Sequence, residues 1–130
     1  MTKQVVSSSK APQAVGPYSQ AISIHGVMYV SGQLPIDPGS GTLLNSDIRA
    51  QTKQTIENLR AILEHANLSL SDVVKTTIYL KDMGDFAAVN EEYSSFFTEK
   101  PPARACFEAA RLPKDTAIMV DCIAVNPKSL

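Results

Sequence analysis

Several runs of this chain carry apolar side chains on both sides of an extended backbone. Successive side chains of a strand point to opposite faces. Met28 and Val30 therefore oppose Val27 and Tyr29, Ile118 and Val120 oppose Met119 and Ile123, and Val73 stands beside Val74. Strands of that kind belong to a sheet buried on both faces. The chain offers only two helical segments, and these cover one face of a mixed sheet of this size. The second face needs another chain. A closed homo-oligomer follows, with a pocket between subunits as the natural site.

The longer helical segment is marked by Ile48, Thr52, Ile56, Leu59, Leu63 and Ala66, which recur at three- and four-residue intervals, with Ile62 widening the stripe. Asn45 or Ser46 is expected to cap it, with Asp47 at the positive end of the helix dipole. Arg49, Lys53, Glu57, Arg60 and Glu64 form its solvated face. The second helix follows the turn Asp82-Met83-Gly84-Asp85, with Asp82 or Asp85 as cap. Phe86, Val89, Tyr93 and Phe96 or Phe97 form its buried stripe, and Asn90 lies at the edge of that stripe.

The strands fall around these helices. Val5-Val6 forms a short leading strand. Ala21–Ile24 and Val27–Ser31 form a hairpin about His25-Gly26, where Gly26 accepts positive φ. Gly32 to Gly41 reads as a long loop. Asp72–Leu80 is β-branched, with Val74, Thr76, Ile78 and Leu80 on one face. The run from Ala103 is expected to form a hairpin with Ala117–Val125, through the turn Leu112-Pro113-Lys114-Asp115. The order is β-β-β-α-β-α-β-β, a single α+β domain over residues 1–130.

Bulk properties remove whole classes of function. The net charge of −1 gives no basic field for nucleic acid. No stretch approaches the ~20 apolar residues of a membrane span. The first ten residues contain no apolar core of signal-peptide length, so a cytoplasmic protein is expected. Cys106 and Cys122 form neither a CxxC nor a close metal spacing, and a reducing compartment fits them. The two histidines sit in no ligand set, so no metal site is expected. Phosphate-binding and dinucleotide-binding glycine motifs are absent, as is GxSxG. An arginine-centred site without metal or nucleotide is what remains.

The candidate arginine lies in Pro101-Pro102-Ala103-Arg104-Ala105-Cys106-Phe107-Glu108-Ala109-Ala110. The prolines force an extended start. Strand alternation then puts Arg104, Cys106 and Glu108 on one face, with Cα atoms about 7 Å apart, and Ala103, Ala105, Phe107 and Ala109 on the other. A guanidinium among small side chains leaves room for a small anion, and it binds a carboxylate bidentately.

An ordered set of motifs goes further. Gly16-Pro17-Tyr18-Ser19-Gln20, Ser31-Gly32-Gln33, Val74-Lys75-Thr76-Thr77, Asp85-Phe86 with Val89-Asn90, and Pro102-Ala103-Arg104-Ala105-Cys106 to Leu112-Pro113-Lys114-Asp115 span nearly the whole chain. Together they resemble the RidA/YjgF family of reactive-intermediate imine deaminases. The resemblance implies a chorismate-mutase-like fold, with two helices on one face of a mixed sheet, assembled as a homotrimer with clefts between subunits. It implies cofactor-independent hydrolysis of 2-aminoacrylate and 2-aminocrotonate, or their imine tautomers, to 2-oxo acids and ammonia. It also implies a functional link to the pyridoxal-phosphate-dependent dehydratases that release these species.

By position, the resemblance makes Arg104 the carboxylate anchor and Tyr18, Ser31 and Gly32 pocket residues, with Asn90 and Cys106 close by. Met119 is a departure, because active members usually carry a glutamate there to orient water. Asp121 and Glu108 are the carboxylates left to take that role. The alternative is a trimer that binds 2-oxo acids, or regulates, without turnover. A ribonuclease is a third reading, and the charge balance speaks against it.

Overall fold

In the computed structural model, which describes residues 2–129, six strands form one mixed sheet covered on one side by two helices. The strands are β1 (Gln4–Val6), β2 (Ala21–Ile24), β3 (Val27–Gln33), β4 (Val73–Leu80), β5 (Ala103–Glu108) and β6 (Ile118–Val125). The helices are α1 (Ile48–His65) and α2 (Phe86–Ser94). The sheet order is β1-β2-β3-β6-β4-β5, antiparallel throughout except for the β4–β5 pair.

Burial follows the pleat. Ile118, Val120, Cys122 and Ala124 of β6 are buried, whereas the alternate residues Met119, Asp121, Ile123 and Val125 are only partly so. The buried set packs with Met28 and Val30 of β3, Ile78 and Leu80 of β4, and Ile56, Leu59, Ile62 and Leu63 of α1. Val89 and Tyr93 carry α2 onto the same face. The helix ends at Ser94, so Phe97 joins the core from the following turn. The second face is left open in the single chain, with Tyr29 and Phe107 about half exposed.

The β2–β3 hairpin turns as expected, with positive φ at both His25 (51°) and Gly26 (78°). Capping of α1 falls one residue later than expected. Asp47 is the cap and accepts from the Ala50 amide at 2.8 Å. A carboxylate there satisfies an orphan donor, as an asparagine or serine would, and adds a charge that meets the helix dipole.

Three further features depart from the sequence reading. First, β6 is not the hairpin partner of β5. It runs antiparallel between β3 and β4, while β5 lies parallel to β4 at the edge. Helix α2 is the crossover that a parallel pair requires. A strand apolar at both parities belongs in the middle of a sheet, and one of alternating alanine and charge suits an edge. Second, a bulge in β4 sets Val73 and Lys75 opposite the adjacent residues Ala124 and Ile123. The extra residue turns Val73 inward and leaves Val74 48% exposed, so Val73 joins Thr76, Ile78 and Leu80 on the buried face. Third, β3 continues through Gly32 and Gln33, which had read as loop, with a second bulge between Val30 and Gln33.

Candidate active site

Chemistry-bearing residues gather in two places on opposite faces of the sheet. On the helix-covered face, Arg104 stands opposite Thr76 in the β4–β5 register. One guanidinium nitrogen donates to Asn90 Oδ1 at 2.7 Å. The guanidinium carbon lies 5.0 Å from the centre of the Tyr93 ring and 5.6 Å from that of Phe86. Asn90, Tyr93 and Phe86 all belong to α2, so the helix holds the cation by one hydrogen bond and two ring faces. Tyr93 is itself fixed, through a 2.7 Å bond between its hydroxyl and Thr76 Oγ1. Burial pushes the Tyr93 phenol up, against the opposing effects of Thr76 and Arg104. Among the described residues no carboxylate lies within ion-pair distance of Arg104. Arg104 is exposed at the β5 edge, and its one side-chain hydrogen bond leaves further guanidinium donors for an anion.

Cys106 and Glu108 follow Arg104 on the same face. Burial pushes the Cys106 thiol up, with Arg104 opposing. A thiol shifted that way is a poor nucleophile. Glu108 is engaged elsewhere, because its Oε1 accepts from the Met83 amide at 2.9 Å and holds the turn before α2. As a candidate for water positioning it lies on the wrong face to meet Asp121.

The other face carries a cavity of about 750 Å³, whose walls include Tyr18, Ser31, Gly32, Lys114, Met119 and Asp121. Buried amides hold its walls. Gln20 donates to the carbonyls of Ser8 and Pro12 at 3.1 and 2.7 Å and accepts from the Ser8 amide. Asn58, inside the apolar stripe of α1, donates to the carbonyls of Leu34 and Ile36 at 3.0 and 2.9 Å. Ser31 sits in the β3 bulge, where its amide donates to the Gln20 carbonyl at 2.9 Å and its hydroxyl to the Ser19 carbonyl at 2.6 Å. Met119 lies over Gly32 so closely that a Cβ there would meet its sulfur at 2.8 Å. Any larger residue at position 32 would push the Met119 side chain aside.

Asp121 brings a carboxylate to the cavity wall. Its Oδ2 accepts from the Tyr79 hydroxyl at 2.9 Å. Tyr79 packs edge-on against Phe107, with ring centres 5.1 Å apart. Burial pushes the Tyr79 phenol up, and the hydrogen bond to Asp121 and that carboxylate's charge add to the effect.

Thus the single chain brings together Arg104, Asn90 and Cys106 in one group and Tyr18, Ser31, Gly32 and Asp121 in another. It does not join the groups. Tyr79, Asn58 and Gln20 escaped the sequence reading. Asn58 had a visible signal, a polar residue within an apolar helical stripe. Tyr79 had none without the β4–β6 register.

Residues 8–126 match the family model described as endoribonuclease L-PSP. The chain belongs to the RidA/YjgF family. A RutC family protein of Pyrococcus abyssi is 53% identical over 124 residues, covering 95% of this chain and 98% of its own. A 2-iminobutanoate/2-iminopropanoate deaminase of Salmonella typhimurium is 46% identical over 126 residues, covering 95% and 98%. The crystal structure of the YjgF gene product of Escherichia coli superposes with a TM-score of 0.90 at 43% identity, covering 94% of this chain and 98% of that one. Family membership accounts for the mixed sheet with two helices. Among the described residues no group of histidine, cysteine or carboxylate side chains has the spacing to hold a metal ion, and no helix is long and apolar enough to cross a membrane.

Proposed function

We propose that the protein is a cofactor-independent deaminase that hydrolyses short 2-imino acids, the tautomers of 2-aminoacrylate and 2-aminocrotonate, to 2-oxo acids and ammonia. The observation that carries this reading is Arg104, a guanidinium with no carboxylate partner among the described residues, held by Asn90 and two aromatic faces with donors to spare. Such a group binds a carboxylate bidentately and fixes the atom next to it. The deaminase name of the Salmonella relative supports the same substrate class.

The working unit is a homotrimer in which Arg104, Asn90 and Cys106 of one subunit face the Tyr18, Ser31 and Gly32 wall of the next. The open sheet face supports this, because Tyr29, Ile123 and Phe107 present apolar surface that a second copy would cover. The imines reach it in the cytoplasm from pyridoxal-phosphate-dependent dehydratases. The second reading, a trimer that binds 2-oxo acids without turnover, draws on Met119, a thioether on the cavity wall. Ribonuclease activity draws no support from a chain of net charge −1.

A coupled assay tests these readings. A dehydratase generates the imine from threonine, and 2-oxobutyrate release is followed with and without the protein, beside RNA degradation by the same preparation. Acceleration that disappears in Arg104→Ala is the expected result. Binding of 2-oxobutyrate without acceleration would establish the second reading instead.

A further inference from the structure

Hydrolysis of an imine needs a group to orient water and to carry a proton, and Arg104 does neither. Among the described residues lining the cavity, Asp121 is the only carboxylate and Lys114 the only cation. We propose that Asp121 is the catalytic base of the deaminase reading above, and that Tyr79 is the residue that positions it.

The geometry is specific. Tyr79 pairs with Met119 in the β4–β6 register and Thr77 pairs with Asp121, so the Tyr79 hydroxyl reaches diagonally across the ladder to Asp121 Oδ2. That bond fixes the carboxylate rotamer and leaves the lone pairs of Oδ1 free. Phe107 holds the Tyr79 ring edge-on from the neighbouring strand. A phenol pushed above its ordinary range stays protonated at neutral pH and keeps donating. Met119 lies on the same face, two residues before Asp121, and covers Gly32. It forms an apolar wall beside the carboxylate and cannot compete for the proton.

The proton accounting closes on Asp121. Its free oxygen takes a proton from water as the water oxygen bonds to the carbon of the protonated imine, and the C=N π pair moves to nitrogen. The neutral carboxyl returns that proton to the amino nitrogen of the carbinolamine. The C–N bond then breaks, the O–H pair forms the carbonyl, and the hydroxyl proton leaves with ammonia as ammonium. Protonated imine and water have become 2-oxo acid and ammonium, and Asp121 is an ionised carboxylate again.

The test compares Asp121→Asn, Tyr79→Phe and Arg104→Ala with the parent on imine generated from threonine, with thermal unfolding of each protein alongside. Asp121→Asn should lower kcat at least about 100-fold, the lower range for a positioned acid–base group, with little change in KM. Tyr79→Phe should lower kcat roughly threefold to tenfold, the worth of one orienting hydrogen bond, again at constant KM. A merely structural role for Tyr79 would move KM and the unfolding temperature together. Formate should restore part of the rate to Asp121→Gly and leave the parent unchanged. If Asp121→Asn keeps the parental kcat while Arg104→Ala is inactive, the base assignment is overturned and the deaminase reading stands. If the parent does not turn over, both are overturned. If Asp121→Asn does not fold, Tyr79→Phe decides, and a parental kcat there overturns the pair.

Discussion

Arg104 and Asp121 are both charged side chains held by a tyrosine, yet they stand on opposite faces of one sheet. Arg104 lies on the helix-covered side at the exposed β5 edge, against Tyr93 and Phe86. Asp121 lies on the open side in the central strand β6, against Tyr79. The first group is held by a helix and looks outward; the second forms the wall of a cavity shaped by loops pinned through Gln20 and Asn58. One chain cannot apply both charges to a substrate of three or four carbons. Two copies facing each other can, which makes assembly part of the proposed chemistry.

The strongest way to break this comparison is to remove the cation. Arg104→Ala should lower kcat/KM about 30-fold to several-thousand-fold, the range for loss of a charge-paired carboxylate contact. Folding should survive, because the guanidinium is exposed and replacing it leaves the core intact. Steady-state kinetics with a thermal melt checks both, and undiminished binding of 2-oxobutyrate by the variant would mean that the anchor lies elsewhere.

Changing the cavity wall should act in the other direction. Met119→Glu places a second carboxylate on the Asp121 face and should raise kcat about tenfold or more, by the usual worth of a positioned proton-transfer group. The gain should be larger in an Asp121→Asn background. Rates on 2-aminocrotonate for the four proteins give the answer. No gain in either background would mean that position 119 does not face the reacting carbon.

A complementation experiment asks directly whether the two groups meet between subunits. Arg104→Ala and Asp121→Asn, unfolded and refolded together, should recover roughly a quarter of the parental rate, because random mixing in a closed ring gives one interface in four two intact halves. Each variant refolded alone should stay inactive. Sedimentation should show a species near three times the 14.0 kDa monomer mass. A monomer in solution, or a mixture no better than its parts, would dissociate the two groups.

The change with the smallest effect on activity concerns stability at alkaline pH. Cys122 follows Asp121 in β6 but points into the helix-covered core, where burial pushes its thiol up to about 12 from an ordinary 9.0. Between those values the unfolded chain releases a proton that the folded chain retains, so stability falls as pH rises. The fall is at most about 1.4 kcal/mol per pH unit from this group. Cys122→Ala should flatten the decline between pH 9 and 12 and leave activity near neutral pH unchanged, as denaturant titrations at stepped pH would report. An equal decline in both proteins would assign it to other groups.

Much of the architecture was legible in the chain because periodicity is a local property. The stripe from Ile48 to Ala66 defined α1, and positive φ at Gly26 was readable from the hairpin dipeptide, whereas that at His25 was not. Apolar residues at both parities marked sheet faces that the helices alone do not cover, and Tyr29 and Phe107 are indeed exposed on the open face. Arg104 was legible as a cation sharing a face with Cys106 and Glu108, but the rings of Tyr93 and Phe86 beside it were not, and the ordered set of motifs carried the family.

Pairing beyond the β2–β3 hairpin was not legible. Whether Ile118–Val125 lies beside β5 or between β3 and β4 depends on which neighbours bury both of its faces, and that is settled only when all strands are present. The same holds for the bulges at Val74 and at Ser31-Gly32, which shift parity by one residue and decide which side chains meet the cavity. Amino-acid order thus determined which segments are strands and helices and which residues can carry charge. Tertiary structure alone decided that Arg104 and Asp121 are separated by the sheet, and that Tyr79 reaches Asp121, because contacts across a ladder depend on register between segments 42 residues apart.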